Sequence, residues 1–215
     1  MLSLAWLQWP DQARPPHLKA YKTITLQSSE IVRGIIYNPT AIKTIIQEFL
    51  MRHTIAHIPV LCAIKNSIII EKYFHTASSE LSPEIKEFFK SKVWNYCHLG
   101  STIDHDSFVV YACGLPREYM FHYRLFALFA QLNLLVVTTT AMAQFMLYKY
   151  IYGAAFRQSQ LSVDLARHTY DLTPFFTADS ITRVVSIPSD LHSSWQSQAP
   201  MLASALGLFV AKEVS

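Results

Sequence analysis

The sequence predicts an α/β fold, because apolar runs of strand length alternate with segments of helical periodicity and capping signatures stand between them. Three observations carry this. Ile58 to Ile64 is a continuous apolar run that suits a central strand covered on both sides. Asn38-Pro39 and Ser82-Pro83-Glu84 each join a capping side chain to a first-turn proline, whose missing amide hydrogen is harmless there. Phe108 to Cys113, a helix from Pro116, and Leu134 to Thr138 read as a strand, helix, strand crossover, right-handed if the two strands are adjacent and parallel. With 215 residues, 51% of them hydrophobic, the chain can close one large or two small cores.

In chain order, Leu2 to Trp9 alternates weakly and Leu18 to Leu26 alternates as a strand does, with a loop from Pro10 to Pro16 between them. In the helix capped by Asn38, residues Ile42, Ile45, Ile46, Phe49 and Leu50 fall at the i, i+3, i+4, i+7, i+8 spacing of a buried face. Ser67 to Phe74 reads as a strand. Glu84 complements the dipole of a helix running through Phe88, Phe89, Val93 and Tyr96. Gly100 to Ser107 is a polar loop, and Thr140 to Tyr152 a helix ending near Gly153. Gln160 to Asp164, Tyr170 to Phe176 and Ile181 to Ile187 read as three strands, with Thr177-Ala-Asp-Ser180 as the second turn. Pro188 to Ala199 is a polar loop, and Met201 to Lys212 a closing helix.

Leu125 to Tyr148 carries 24 residues without a charge, long enough for a membrane-spanning helix. Its Gln131, Asn133, Gln144 and threonines, and the β-branched character of Leu134 to Thr139, favour a helix, a strand and a second helix, with Asn133 as the cap of the first.

Composition excludes several functions. Only 15% of residues are charged, against roughly 25% in an ordinary soluble domain, so much surface must be apolar, neutral or covered by a partner. That favours a component of an assembly. The net charge of +3 comes from scattered residues, without a basic run or zinc-finger spacing, which argues against nucleic acid. The five glycines, Gly34, Gly100, Gly114, Gly153 and Gly207, never cluster, which removes the P-loop and the dinucleotide fingerprint. Cys62, Cys97 and Cys113 form no CxxC pair and read as reduced thiols, and the first ten residues lack the basic and apolar regions of a signal peptide.

Candidate chemistry is sparse. His53 and His57 have the i, i+4 spacing of helical zinc ligands, but no third ligand stands out, and histidines at a helix end, favoured by the dipole, are the simpler reading. Asp104-His105-Asp106 reads as a solvated turn before it reads as a metal loop. No serine stands in Gly-x-Ser-x-Gly, and Cys113 ends an apolar strand as a core residue would. Asp164 and Asp171 flank a predicted strand turn, a place where aspartate either holds a Mg²⁺-bound nucleotide or simply forms the turn.

Several short stretches, in order and over nearly the whole chain, resemble the PilM family of actin-like proteins of type IV pilus assembly and its shorter HofM-type relatives. They are His17-Leu-Lys-Ala-Tyr-Lys-Thr-Ile-Thr-Leu26, Glu30-Ile-Val-Arg-Gly-Ile-Ile-Tyr-Asn-Pro39, Val60-Leu-Cys-Ala-Ile64 with Ser67-Ile-Ile-Ile-Glu-Lys-Tyr-Phe74, Tyr111-Ala-Cys-Gly-Leu-Pro-Arg-Glu118, Leu132 to Met142, Leu161-Ser-Val-Asp-Leu-Ala166 with Leu172, and Ala203-Ser-Ala-Leu-Gly-Leu208. The resemblance implies an incomplete actin-like (ribonuclease H-like) α/β fold with an inserted α/β subdomain. Residues 1–66 would be the first part of the actin-like domain, 67–156 the inserted subdomain and the return to the main domain, and 157–215 a reduced second lobe with the closing helix. The family's Asp-Ile-Gly phosphate loop has no counterpart, Leu165 replaces the glycine after the second aspartate and would crowd a phosphate, and the adenosine-binding stretch after Ile187 is missing.

By that resemblance the chain is expected to be a non-catalytic adaptor without a cofactor, cytoplasmic and peripheral to the inner membrane, in a type IV pilus, type II secretion or DNA-uptake assembly. It would bind the cytoplasmic tail of a bitopic PilN-like partner, with other pilus assembly components as further partners, in a groove bordered by Tyr37, Asn38, Pro39, Ile42, Ile68 and Ile70. Taken singly, each of these six is read more simply as cap or core. The alternatives are a weak actin-like ATPase, with Asp164 holding Mg²⁺ and Thr169 or Asp171 facing the phosphates of ATP, and a membrane protein spanning at 125–148.

Overall fold

A computed structural model describes residues 2–8, 15–27, 29–65, 67–77, 81–101, 108–152 and 176–214. The chain opens with an antiparallel pair, β1 (Leu2–Gln8) and β2 (His17–Ile24). A small hairpin follows, β3 (Ile31–Val32) and β4 (Ile35–Ile36), turned by Arg33 and Gly34 at φ 48° and 80°. Two positive φ values in a two-residue loop match the right-handed twist of the strands, and glycine meets the second without strain. Asn38 then caps α1 (Pro39–Arg52), its Oδ1 accepting from the Ala41 amide at 3.1 Å. The helix buries Ile42 and Phe49, with Ile45, Ile46 and Leu50 half-buried beside them.

β5 (Pro59–Ile64) pairs in parallel with β9 (Asn133–Thr139). Between them in sequence lies a three-stranded antiparallel sheet in the order β6 (Ile70–Thr76), β8 (Phe108–Pro116), β7 (Lys92–Ser101), with the short helix α2 (Pro83–Phe88) after β6. Helix α3 (Arg117–Phe129) leads back to β9, which runs directly into α4 (Thr140–Tyr152). α5 (Ala178–Thr182) and the long α6 (His192–Val214) close the described chain.

The structure corrects the sequence reading at several points. The helix begun at Pro83 ends at Phe88, and Val93 and Tyr96 belong to β7, where aromatic and β-branched residues pair along β8 and Trp94 stacks on Phe89. Residues 181–187 are not a strand. Thr177 and Ser180, read as a turn, form a reciprocal capping box that starts α5, and only Ser186 bridges to His17. The loop assigned to 188–199 is a single 3₁₀ turn at Ser189–Leu191 followed by α6, because Trp195 and Ala199 extend the buried face of Leu202, Ala203 and Leu206 by two turns.

β8 and β9 are not paired, so the right-handed crossover expected between them does not form, and α3 carries the chain from one sheet to another. β5 is half-buried and, among the described residues, hydrogen-bonded to β9 alone, rather than central. The uncharged run 125–148 is divided into the end of α3, β9 and most of α4, which overturns the membrane-span alternative there. No helix among the described residues is long and apolar enough to cross a membrane. Gln131, not Asn133, takes the left-handed conformation after α3 (φ 57°), with Leu132 N bonded to Ala127 O at 2.8 Å and Gln131 N to Leu128 O at 3.1 Å. The strands read at 160–164 and 170–175, the Asp104–Asp106 turn, and Asp164, Thr169 and Asp171 lie outside the described residues.

The main core joins α4 to α6. Met142, Phe145 and Leu147 meet Trp195, Leu202 and Leu206, and Tyr111 of β8 and Leu18 of β2 close the cluster. The helices meet at Gly207, where a methyl group would stand 1.8 Å from the Ala143 carbonyl oxygen. Gly207→Ala is expected to cost about 2–3 kcal/mol in denaturant unfolding, since two packed backbones must separate. Thr54 ends α1 with φ 54°, a β-branched residue in the left-handed region. Thr54→Gly is expected to stabilise by about 0.5–1 kcal/mol in the same measurement, relief of strain outweighing the entropy of glycine.

Candidate functional site

A cleft of about 540 Å³ opens between the β3–β4 hairpin and the entrance to the inserted sheet. Val32, Arg33, Ile35 and Tyr37 line it from the hairpin, Ser67 and Ile68 from the segment ahead of β6, and Tyr119 from α3. The hairpin is built by local bonds: the Glu30 carbonyl accepts from the amides of Tyr37 (2.9 Å) and Asn38 (3.3 Å), and its carboxylate Oε2 accepts from the Gln27 amide at 2.7 Å. Two further bonds tie it to α3. Tyr123 Oη donates to the Gly34 carbonyl at 2.6 Å, and the Ile36 amide donates to His122 Nε2 at 3.0 Å, which makes Nε2 the unprotonated ring nitrogen. Beneath the cleft, Ile36 packs with Ile42, Ile64, Leu115 and Tyr123.

Of the six residues the resemblance places at a groove, two line this cleft, Tyr37 and Ile68. Tyr37 is 62% exposed. Asn38 serves as the cap of α1 and Pro39 as its first residue, Ile42 lies in the core below, and Ile70 joins the cluster of Ile85, Phe89 and Ala112 in the inserted unit. The sequence reading missed Val32, Arg33, Ile35, Ser67 and Tyr119. An Arg-Gly pair between Ile-Val and Ile-Ile is a hairpin signal that could have found the first three.

Five of the seven lining residues are aliphatic or aromatic, but the surface they expose to the cleft is polar in larger part, with Arg33 as the charged member and two tyrosines beside it. Such a surface suits recognition of an extended chain with a few apolar side chains and a carboxylate or carbonyls to meet the arginine. His53 does not pair with His57: α1 stops at Arg52, His53 packs its ring 4.8 Å from Phe49, and His57 adopts φ 56° beyond the helix. Among the described residues no group of three His, Cys, Asp or Glu side chains could hold a metal ion. The three cysteines are free, and removal from water pushes the thiols of Cys62, Cys97 and Cys113 up to about 11, which keeps them protonated and poorly nucleophilic.

A polar network lies where β6 and β8 meet the end of β9. Tyr111 Oη donates to Glu71 and lies 3.2 Å from Thr139 Oγ1, which in turn accepts from the Met142 amide at 3.0 Å and so caps α4. Burial holds the Glu71 carboxyl above the ordinary carboxylate range, against the opposing pull of the Tyr111 bond and the Lys65 charge. Burial also raises Tyr111 strongly, so it remains a donor.

No protein-family model matches the sequence, and no curated protein does. Among solved structures, the chain superimposes on one from a "PilM-PilN type IV pilus biogenesis complex" with a TM-score of 0.64, over 99% of this chain and 95% of that one, at 13% identity. The fold is actin-like. The sheet β6-β8-β7 and α2 lie in sequence between the paired strands β5 and β9, and the cleft opens beside the segment that leads from β5 into β6.

The raised Glu71 carboxyl makes a signed prediction. A carboxyl raised by folding favours the protonated form, so its contribution is full below the ordinary carboxylate range and is lost as pH rises through the raised value. Glu71→Gln, which keeps an acceptor for Tyr111, is therefore expected to raise the melting temperature at pH 7. The gain over the parent protein should vanish as the scan descends towards pH 4, where the parent carboxyl is protonated.

Proposed function

We propose that this chain is a non-catalytic adaptor of a type IV pilus or type II secretion inner-membrane assembly, working without a nucleotide or metal cofactor. Its cleft takes the cytoplasmic tail of a bitopic PilN-like partner. The observation that carries the reading is the cleft itself: Val32, Ile35, Ile68, Tyr37 and Tyr119 face a shared opening between the hairpin and the inserted unit. The superimposed structure comes from a complex of two proteins, PilM and PilN, which supports binding as the task of this fold. A tail peptide of a few residues gains pocket burial for apolar side chains and main-chain hydrogen bonds without needing a large interface. Arg33 favours a tail with an acidic residue or an oriented carbonyl at that end of the cleft.

Isothermal titration calorimetry with synthetic tail peptides of bitopic pilus-assembly proteins tests this. Micromolar, saturable binding is expected. Tyr37→Ala and Ile68→Glu should each weaken it by at least about tenfold, the loss of roughly 1.4 kcal/mol or more, and Tyr37→Ala should do so with thermal stability little changed because Tyr37 is exposed. Absence of binding to every such tail would refute the adaptor reading. A parallel titration with MgATP addresses the cofactor: saturable micromolar binding there, lost in Asp164→Ala, would replace the adaptor by an actin-like ATPase.

A further inference from the structure

The solvent face of α3 is neither part of the cleft nor accounted for by tail binding. At 100° per residue, Arg124, Arg117, Leu128, Phe121 and Leu125 fall in that order within about 100° of arc. All five are exposed, the three apolar ones strongly so: Leu128 73%, Phe121 61% and Leu125 48%. The opposite side of the helix holds Tyr123 and Ala127 in the core. No carboxylate in the described structure pairs with Arg117 or Arg124, and Glu118 at the margin of the arc is the helix's one acid. α3 is thus amphipathic twice over, with an apolar side turned to the core and an apolar strip flanked by cations turned outward. Leu135 and Val136 of β9, the strand that follows α3, add exposed apolar surface.

We propose that this face docks on an anionic lipid surface, Phe121, Leu125 and Leu128 entering the headgroup boundary while Arg117 and Arg124 meet phosphates. The charge pattern selects this occupant. A second copy pairing through the same strip would bring four guanidinium groups together with two Glu118 carboxylates to oppose them, a net repulsion. A helix face is convex, so it offers no groove for a peptide, whereas a lipid layer deforms around it. Apolar side chains beside basic ones in the plane of a helix are the pattern of interfacial binding, in which hydrocarbon burial and attraction to anionic headgroups add. Tail binding in the cleft is not required for this contact.

The test is co-sedimentation of the full chain with vesicles of phosphatidylcholine alone, and of phosphatidylcholine with an equal part of phosphatidylglycerol. Binding is expected to the anionic vesicles and to weaken with salt. Arg117→Gln and Arg124→Gln should each lower the partition coefficient about fivefold. Leu128→Glu, at the most exposed position of the strip, should lower it at least tenfold while circular dichroism and melting temperature stay unchanged. The proposal is overturned if the anionic vesicles bind no protein, if neutral vesicles bind equally and the arginine variants change nothing, or if Leu128→Glu acts only by converting a dimer to a monomer in sedimentation velocity. None of these readouts depends on tail peptides, so failure here leaves the adaptor reading standing, and the reverse.

Discussion

The approach of two backbones at Gly207 and Ala143 sets the geometry on which the rest of the molecule depends. It lets α6 lie directly against α4, and α6 also packs against β1 and β5. Because β9 passes into α4 without a loop, the position of α4 fixes the strand that pairs with β5. α3 enters β9 through a tight left-handed turn at Gln131, and α3 in turn holds the β3–β4 hairpin through Tyr123 and His122. Tyr37, Arg33 and Val32 stand where they do at the end of that chain of constraints. The Gly207 contact is thus joined to the cleft by an unbroken series of packed elements, through which close packing transmits displacement.

Much of this was legible in the sequence where local chemistry and tertiary demand agree. Asn38-Pro39 and Ser82-Pro83 start helices at those residues, and the uncharged run from Leu125 resolves into helix, strand and helix because its β-branched centre suits a pleated, partly covered surface. The errors fall where a short pattern admits two periods. Ile181-Thr-Arg-Val-Val reads as a strand by composition, yet the reciprocal Thr177 and Ser180 bonds nucleate a helix first. Val93 and Tyr96 fit a helical face as well as a strand, and only the ladder of nine residue pairs with β8, which is not visible locally, decides between them. Of the site, the cap and core roles of Asn38, Pro39, Ile42 and Ile70 could be read from spacing. The inward turn of Ser67 and Tyr119 depends on how distant segments meet.

Scarcity of glycine also leaves a mark on the backbone. Arg33, Thr54, His57 and Gln131 all adopt positive φ, a conformation costing side-chain-bearing residues about 1–2 kcal/mol each. α1 and α3 both end in the same double hydrogen-bonded turn, Ile55 to Leu50 and Thr54 to Met51 in one, Leu132 to Ala127 and Gln131 to Leu128 in the other. Chain direction at these ends is thus enforced by satisfied carbonyls and by the packing of Ile55 and Leu132, not by conformational freedom.

Tyr119, His122 and Tyr123 face the hairpin from one flank of α3, while Phe121 and Leu128 occupy the other. A single helix thus borders the cleft on one side and carries the exposed apolar strip on the other. If a tail in the cleft and a surface against the outer strip both tilt this helix, thermodynamic reciprocity requires each to bias the other by the same factor. An adaptor so arranged would register, through one helix, whether its protein partner and its resting surface are present together.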